Sequence, residues 1–216
     1  MPYDENVREV VETLRKIKIV PVLVLDNVED GLKMCDILVD NGLNAAEITF
    51  RTPAAEKIIR EADADFPELI IGAGTVLNVE DLHRAFDAGA KFAVAPGFNP
   101  TVVKEAVDNG FAFMPGVSGP SEIEQAMELS VRHFKFFPAE AVGGVAMLKS
   151  IIAPYRHLGI SFMPTGGLNP GNVNDYLEIP EVTACGGTWL GKSADIAEGN
   201  WEKIETLVRE AVAMLS

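Results

Sequence analysis

The stretch Leu69–Ala88, LIIGAGTVLNVEDLHRAFDA, predicts the fold because its hydrophobic period changes once within twenty residues. The first part, Leu69–Val76, is a short apolar run that is typical of a buried strand. The second part is polar except for apolar residues at helical spacing, such as Leu82 and Phe86. Gly89 follows at once, where many helices end in a left-handed residue. This stretch therefore predicts one strand followed by one helix.

The same unit recurs along the chain. Eight apolar runs alternate with helical segments, and a further helix with Val7, Val10 and Leu14 on one face precedes the first run. Eight such units predict a single α/β domain over residues 1–216, a (β/α)8 TIM barrel with an extra N-terminal helix. An open doubly wound sheet is the alternative, although no G-x-G-x-x-G motif opens a helix after the first strand. The runs are Lys18–Leu25, Ala45–Phe50, Leu69–Val76, Phe92–Phe98, Ala112–Val117, Phe134–Pro138, Ile160–Pro164 and Val182–Leu190.

The charge balance excludes several kinds of partner. Lys and Arg number 18 against 32 Asp and Glu, so the formal net charge is −14. A chain this acidic repels nucleic acid and anionic membranes, and we expect neither as a partner. The longest run of aliphatic residues and proline, Ile19–Leu25, is far shorter than the roughly 18 residues of a membrane span. Only two cysteines are present, Cys35 and Cys185, and the start lacks a signal-peptide pattern, so we expect a cytoplasmic protein with free thiols.

Polar residues at strand ends are the candidates for chemistry, because barrel enzymes react at the carboxyl ends of their strands. The second strand ends Glu47-Ile48-Thr49-Phe50-Arg51. Side chains alternate in a strand, so Glu47, Thr49 and Arg51 should face the barrel interior. A carboxylate there needs a partner. A Glu47–Arg51 ion pair at the rim is the simplest interpretation, and general acid/base chemistry is the functional one.

The sixth strand carries a lysine among aromatic residues, Phe134-Lys135-Phe136-Phe137-Pro138. Lysine is rarely buried without a partner, and burial favours its neutral amine. A neutral amine can attack a carbonyl and form a Schiff base. The alternative is a structural lysine that reaches water or pairs with Glu47.

Glycine-rich ends of the third, seventh and eighth strands form a further group. They read Gly72-Ala73-Gly74-Thr75, Pro164-Thr165-Gly166-Gly167 and Cys185-Gly186-Gly187-Thr188. Barrels often hold a phosphate between the loops after strands seven and eight. Tight turns alone are the other interpretation of these glycines.

No metal site is expected, because no His, Cys, Asp or Glu cluster has metal-ligand spacing. We expect His83 on a helix surface, His133 just before a strand and His157 in a loop, and we assign no role to any of the three.

Five segments together resemble the 2-keto-3-deoxy-6-phosphogluconate (KDPG) aldolase family, which is also described as 4-hydroxy-2-oxoglutarate (KHG) aldolase. The resemblance runs from about Val20 to the last helix, in order and at family spacing. It implies a class I aldolase on a (β/α)8 barrel, usually a homotrimer, that needs no metal or other cofactor. The segments are Glu47–Thr52, Gly72–Asn78, Lys135–Glu140, Pro164–Gly167 and Gly186–Leu190.

The resemblance also implies roles. Lys135 becomes the Schiff-base lysine and Glu47 the general acid/base, and the substrates become a phosphorylated 2-keto-3-deoxy sugar acid and pyruvate. Arg51 and the Gly74-Thr75 turn would contact the pyruvyl carboxylate, and the last two strand ends would hold the phosphate. The residues implied at the substrate are Arg51, Gly74, Thr75, Pro96, Phe137, Thr165, Gly166, Gly167, Gly186, Gly187 and Thr188.

Two residues depart from the family pattern. Ala95 stands where many members have Ser, and Gly119 stands where many have Thr. Three rival functions stay open at this point: an aldolase for the galactonate epimer, a barrel isomerase that uses Glu47 without covalent chemistry, and a non-catalytic phosphosugar-binding protein. Arg51 and Trp189 favour the gluconate type, and Lys135 argues against the isomerase. Glu140 is the next candidate for acid/base work after Glu47.

Overall fold

The computed structural model describes residues 3–215 and shows the predicted alternation of strands and helices. The helices are α1 Tyr3–Ile17, α2 Val28–Asp40, α3 Ala55–Asp65, α4 Val79–Asp87, α5 Pro100–Asp108, α6 Pro120–Glu128, α7 Gly144–Tyr155, α8 Val173–Leu177, α9 Ser193–Ala197 and α10 Trp201–Ala213. The strands are β1 Ile19–Leu23, β2 Ala45–Thr49, β3 Ile70–Gly74, β4 Phe92–Val94, β5 Phe113–Met114, β6 Gly116–Val117, β7 His133–Phe136, β8 Ser161–Pro164 and β9 Cys185–Gly187.

The strands pair in parallel and in chain order. One sheet has the order β5-β4-β3-β2-β1-β9 and a second has the order β6-β7-β8. The first and last strands, β1 and β9, are therefore neighbours. A doubly wound sheet instead reverses its order beside the first strand, which is not the order seen here. The chain is thus an α/β fold with a parallel half-barrel sheet.

The predicted fifth strand, Ala112–Val117, is divided in two. Pro115 separates β5, which pairs with β4, from β6, which pairs with β7. Proline has no N–H to donate to a ladder, so a continuous strand through this position is disfavoured. Its carbonyl still accepts a hydrogen bond of 2.9 Å from the backbone N–H of Lys135. The expectation of one strand here was wrong, because proline marks the point where the pairing partner changes.

The predicted last strand, Val182–Leu190, is also shorter than expected. Only Cys185–Gly187 forms a regular strand, beside β1. Two isolated bridges, Phe162–Val182 and Thr165–Gly186, connect this segment with β8. These bridges bring the ends of the last two strands together, which matters for the site described below.

The apolar side chains of the strands are buried as the alternation predicts. Ile48, Phe134 and Phe136 have no exposed surface. Cys35 and Cys185 are free and buried, and burial raises the pKa of both thiols to about 12.

None of the helices within residues 3–215 is long and apolar enough to cross a membrane.

Helix α1 crosses the N-terminal ends of the strands. Near its start, Asn6 donates to the Gly110 carbonyl at 2.8 Å, and near its end Arg15 donates to the Pro180 carbonyl at 2.9 Å. The side chain of Leu14 is fully buried. The predicted extra helix therefore ties segments that are 70 residues apart in sequence (180 − 110 = 70).

A polar chain lies beneath this helix. His133 is the first residue of β7 rather than a residue before it, and its Nδ1 lies 2.7 Å from Ser161 Oγ. Thr183 donates to the same Ser161 hydroxyl at 2.9 Å. His83 is on the surface of α4 as expected, and His157 lies in a short 3-10 helix rather than in a loop.

The neutral form of His133 is favoured in the folded protein. Burial lowers the pKa of His133 to about 4, and the positive charges of Arg15, Arg132 and Arg8 act in the same direction, while Asp4 opposes them. Unfolded histidine titrates near pH 6.5, so the unfolded chain binds a proton that the folded chain excludes. Stability should therefore fall as the pH drops from about 6.5 towards about 4.

We predict that this pH dependence is reduced in H133N. The asparagine amide can keep the bond to Ser161 but does not titrate. Between about pH 7.5 and about pH 5, wild type should lose about 2 kcal/mol more unfolding free energy than the variant. Urea unfolding of both proteins across this range measures the difference. Parallel curves for the two proteins would contradict the assignment to His133.

Candidate active site

A buried ion pair joins two strands at the carboxyl side of the sheet. Lys135 Nζ on β7 lies 2.9 Å from Glu47 Oε1 and 3.2 Å from Oε2 on β2. The side chain of Lys135 is 6% exposed and that of Glu47 is 0% exposed. Removing two charges from water is costly unless the pair is close and well oriented, and here both conditions are met.

The surroundings of the pair are shaped for it. A Cβ on Gly74 would lie 2.3 Å from Glu47 Oε1, so only glycine leaves space for the carboxylate. The Lys135 ammonium lies 5.7 Å from the centre of the Phe137 ring, within cation–π range. Thr49 lies two residues after Glu47 in β2. Its hydroxyl donates to the Leu23 carbonyl at 2.9 Å and fixes the end of the strand.

Arg51 does not pair with Glu47, which the sequence left open as a rim ion pair. Strand β2 ends at Thr49, so Arg51 lies past the regular alternation, exposed and without an ion pair among residues 3–215. The preceding residue, Phe50, lies beneath the Arg84 guanidinium at 5.4 Å from the ring centre. This contact anchors the turn that follows β2, and the Arg51 side chain beyond it faces solvent.

Thr75 and Pro96 follow β3 and β4 at the same side. Thr75 has φ +57°, which is unusual for a β-branched residue and stores local strain. Pro96 is exposed, and its carbonyl carbon would lie 2.2 Å from a Cβ on Gly116. The tight backbone approach fixes Pro96 beside β6. Both residues therefore lie just beyond the ends of their strands.

The ends of β8 and β9 meet in a second cluster. Thr165 bridges to Gly186, and a Cβ on Gly186 would lie 2.2 Å from Thr165 Oγ1. A Cβ on Gly187 would lie 2.0 Å from the Trp189 ring. Neither glycine is among the described residues with positive φ, so they are not needed for turns. They are needed because side chains pack directly on them. Thr188, between them and the solvent, is exposed.

Gly166 and Gly167 differ, because both have left-handed backbone with φ of +101° and +84°. We call this pair the Gly166–Gly167 turn. Its carbonyls are tied back: the Gly166 carbonyl accepts from the Glu140 N–H at 3.0 Å, and the Gly167 carbonyl accepts from Asn169 and Asn172 side chains at 3.3 Å each. The Gly167 N–H has no hydrogen-bond partner within residues 3–215. Gly167 is exposed, and an unpaired N–H in a left-handed turn is suited to an anion.

Phe137 connects the two clusters. A Cβ on Gly166 would lie 3.3 Å from the Phe137 ring, whose other neighbour is the Lys135 ammonium. The backbone N–H of Ala139 also donates to the Thr165 carbonyl at 2.8 Å. The ion pair and the Gly166–Gly167 turn are therefore both adjacent to Phe137.

Several contacts at the site were not predicted from the sequence. Tyr176 on α8 donates to the Glu140 carboxylate, and the two asparagines hold the Gly167 carbonyl. Tyr176 and Glu140 are 36 residues apart, so no local pattern reveals their contact, whereas both asparagines lie within five residues of Gly167 and belong to the same turn. Glu140 itself is exposed and does not touch the ion pair.

The two residues that depart from the family pattern, Ala95 and Gly119, lie in different environments. Ala95 is buried. Gly119 has open space where a Cβ would lie, with the closest atom, Glu122 Oε2, at 3.9 Å. That carboxylate accepts from the Ser118 and Gly119 N–H groups at 2.7 and 2.8 Å and caps α6. A missing hydroxyl at this position therefore leaves the helix start satisfied.

No group of three or more His, Cys, Asp and Glu side chains within residues 3–215 is arranged to hold a metal ion.

Comparison with known protein families shows what this chain is similar to. A family model described as KDPG and KHG aldolase matches residues 10–207.

The chain belongs to this family.

Relatives and solved structures of the KDPG and KHG aldolase family cover nearly the whole chain. The 2-dehydro-3-deoxy-phosphogluconate aldolase of Haemophilus influenzae is 47% identical over 96% of this chain and 97% of its own. A KDPG aldolase structure from Legionella pneumophila, with pyruvate captured as a covalent carbinolamine, has a TM-score of 0.87 at 34% identity and covers 93% and 97% of the two chains. The Zymomonas mobilis ZM4 enzyme with 3-phosphoglycerate has a TM-score of 0.84 at 36% identity and covers 93% and 94%.

We predict that breaking the buried pair from one side destabilises the protein. In K135M the Glu47 carboxylate stays buried without a counter-ion, which should cost about 3–5 kcal/mol. In K135M/E47Q the buried charge is gone, so the double variant should be more stable than K135M. Urea unfolding of wild type and both variants at neutral pH measures this. Equal stabilities of K135M and K135M/E47Q would show that the carboxylate charge is not the cause.

Proposed function

We propose that this protein is a class I aldolase that cleaves KDPG to pyruvate and glyceraldehyde 3-phosphate with no metal or other cofactor. The observation that carries the proposal is the buried contact of 2.9 Å between Lys135 Nζ and Glu47 Oε1 in a member of the KDPG and KHG aldolase family. An amine nucleophile and a carboxylate proton carrier are the two groups that Schiff-base cleavage requires.

Glu47 prepares Lys135 for attack. The carboxylate accepts a proton from the ammonium, and the neutral amine adds to the C2 carbonyl of the substrate to give a carbinolamine. Glu47 then returns a proton to the C2 hydroxyl, which leaves as water and gives a protonated imine. The imine takes the place of a metal as the electron sink for cleavage.

The second half of the reaction uses the same carboxylate. Glu47, directly or through a water, removes the proton of the C4 hydroxyl, and the C3–C4 bond breaks. The electrons of this bond move into the imine, which becomes an enamine of pyruvate, and the aldehyde leaves. Protonation of the enamine at C3 and hydrolysis of the imine release pyruvate and free Lys135.

Local groups bind the anionic substrate in spite of the net charge of −14. We assign the pyruvyl carboxylate to Arg51, which lacks an ion pair within the described residues, and to the Gly74-Thr75 turn. Pro96 and Phe137 line the chain of the substrate. Fixed dipoles at such a site act strongly because they need no reorganisation.

We assign the phosphate to the second cluster, at the ends of β8 and β9. The unpaired Gly167 N–H and the exposed Thr188 hydroxyl are its donors, and Thr165 and the glycines of β9 shape the cluster. Phosphate held by backbone N–H groups after the seventh and eighth strands is common in barrels. The 3-phosphoglycerate in the Zymomonas mobilis structure is a phosphorylated ligand of a relative.

The architecture that we propose is one closed (β/α)8 barrel over residues 1–216. The pairing of β9 with β1 and the bridges from β8 to the β9 segment support closure, with Pro115 as the point where β5 continues into β6. From the family resemblance we also propose a cytoplasmic homotrimer. Sedimentation equilibrium tests the trimer.

KHG, which carries a carboxylate in place of the phosphorylated part, is the second substrate that we propose, with glyoxylate as the aldehyde product. The family description includes this activity. Coupled assays of pyruvate release with KDPG, its galactonate epimer and KHG measure the preference.

We predict a covalent adduct at Lys135. Incubation with pyruvate followed by borohydride should reduce the imine to a stable secondary amine, which peptide mass spectrometry locates. K135M should give no adduct and no cleavage. E47Q should still form some adduct but turn over about 10²- to 10⁴-fold more slowly. An adduct on another lysine, or none, would contradict the proposal.

We predict that Thr188 contributes to phosphate binding. In T188V the hydroxyl is lost at nearly equal volume, and the KM for KDPG should rise about 10-fold or more, because hydrogen bonds to charged groups contribute about 1.5–3 kcal/mol. T188S keeps the hydroxyl and serves as the matched control. The KM for KHG should change less. Equal rises for both substrates would remove Thr188 from the phosphate site. Gly187→Ala is not a suitable test, because its Cβ would collide with the Trp189 ring.

A further inference from the structure

A second carboxylate lies beside the proposed phosphate site. Glu140 follows the strand that carries Lys135, and its exposed side chain accepts a hydrogen bond from the Tyr176 hydroxyl. Tyr176 lies on α8 and is itself fully buried. The pair thus fixes a solvent-facing carboxylate to a rigid, buried ring.

Glu140 also packs on the Gly166–Gly167 turn. A Cβ on Gly167 would lie 2.6 Å from Glu140 Cβ and 2.7 Å from Glu140 Cγ. The aliphatic part of Glu140 therefore lies against Gly167, whose N–H is unpaired within residues 3–215, and rotation about the outer bonds of this side chain would bring its carboxylate towards that turn. A carboxylate in that position would occupy the turn or repel a phosphate from it, because both groups are anions.

The geometry at Tyr176 holds the carboxylate on the other side. A Cβ on Gly144 would lie 3.1 Å from Glu140 Oε1 and 3.4 Å from the Tyr176 hydroxyl oxygen, so the carboxylate lies over Gly144. Burial raises the pKa of Tyr176 well above its ordinary value, and the bond to Glu140 adds to this. Tyr176 therefore remains a proton donor throughout the neutral range.

We propose that Tyr176 is a positioning residue: its hydroxyl holds the Glu140 carboxylate away from the Gly166–Gly167 turn and keeps that turn open to the phosphate of the substrate. The inference rests on the proposed function, since it assigns the turn to the phosphate. Tyr176 touches no reacting atom in this scheme, and Glu140 is a potential internal competitor of the phosphate.

Three variants test this role: Y176F, E140Q and Y176F/E140Q. In Y176F the freed carboxylate should raise the KM for KDPG about 10-fold, which corresponds to about 1.4 kcal/mol, with kcat within about two-fold of wild type. E140Q keeps an acceptor for Tyr176 without a negative charge, so its KM should not rise. The double variant should return to within about two-fold of the wild-type KM, because no carboxylate is left to compete.

Rescue in the double variant separates positioning from a structural role. If the hydroxyl only stabilises the packing of α8, removal of the Glu140 charge cannot restore binding, and Y176F/E140Q will be as impaired as Y176F. That result, or an unchanged KM in Y176F, would overturn the proposal. Thermal unfolding of all three variants shows whether each is folded at the assay temperature.

Hydrogen exchange of pyruvate, which carries no phosphate, provides the internal control. The enamine formed from pyruvate alone exchanges its C3 hydrogens with solvent, so deuterium incorporation into pyruvate in D2O reports the imine chemistry without any phosphate. Y176F should exchange at the wild-type rate, and slowed exchange would contradict a role confined to the phosphate. Absence of exchange in wild type would instead contradict the proposed function itself.

Discussion

The ion pair between Lys135 and Glu47 is the interaction on which the rest of the site depends. Two charges with almost no solvent contact remain in the core only because each satisfies the other at 2.9 Å. The pair also places a carboxylate directly against the lysine amine. In the function that we propose, the carboxylate that makes burial of the lysine tolerable is also the group that accepts its proton. Its geometry must be held by strands that are not neighbours in sequence, since 88 residues separate the partners.

The fold provides this geometry from parallel strands that end on one side. Alternation along β2 and β7 directs Glu47 and Lys135 one way and Ile48, Phe134 and Phe136 into the apolar packing. Arg51, Thr75 and the glycine-rich segments lie at the carboxyl ends of these parallel strands. At the opposite end, α1 and the His133 network tie the strands together. The buried ion pair and the His133 network are therefore separated along the strand axis.

Sequence reasoning could predict features that repeat or that depend on one segment. The strand–helix alternation, the extra helix and the facing of Glu47 and Lys135 follow from periodicity, and the structure confirms them. It could not choose the partner of Glu47, because Arg51 was close in sequence whereas Lys135 is close only in space. It missed the division of the fifth strand at Pro115, where the loss of one N–H outweighs an otherwise strand-like run. The Tyr176–Glu140 contact could not be predicted from the sequence either, since 36 residues separate the two side chains.

Because residue 74 is a glycine, the sequence of this site can change only in restricted ways. The space that Gly74 leaves is filled by the Glu47 carboxylate, so the two positions share one volume. A larger residue at 74 requires a shorter acid at 47, and a shorter acid would no longer reach the lysine at hydrogen-bond distance. A substitution at either position therefore requires a compensating substitution at the other. A redesign that moves the carboxylate must alter β2 and β3 in the same step.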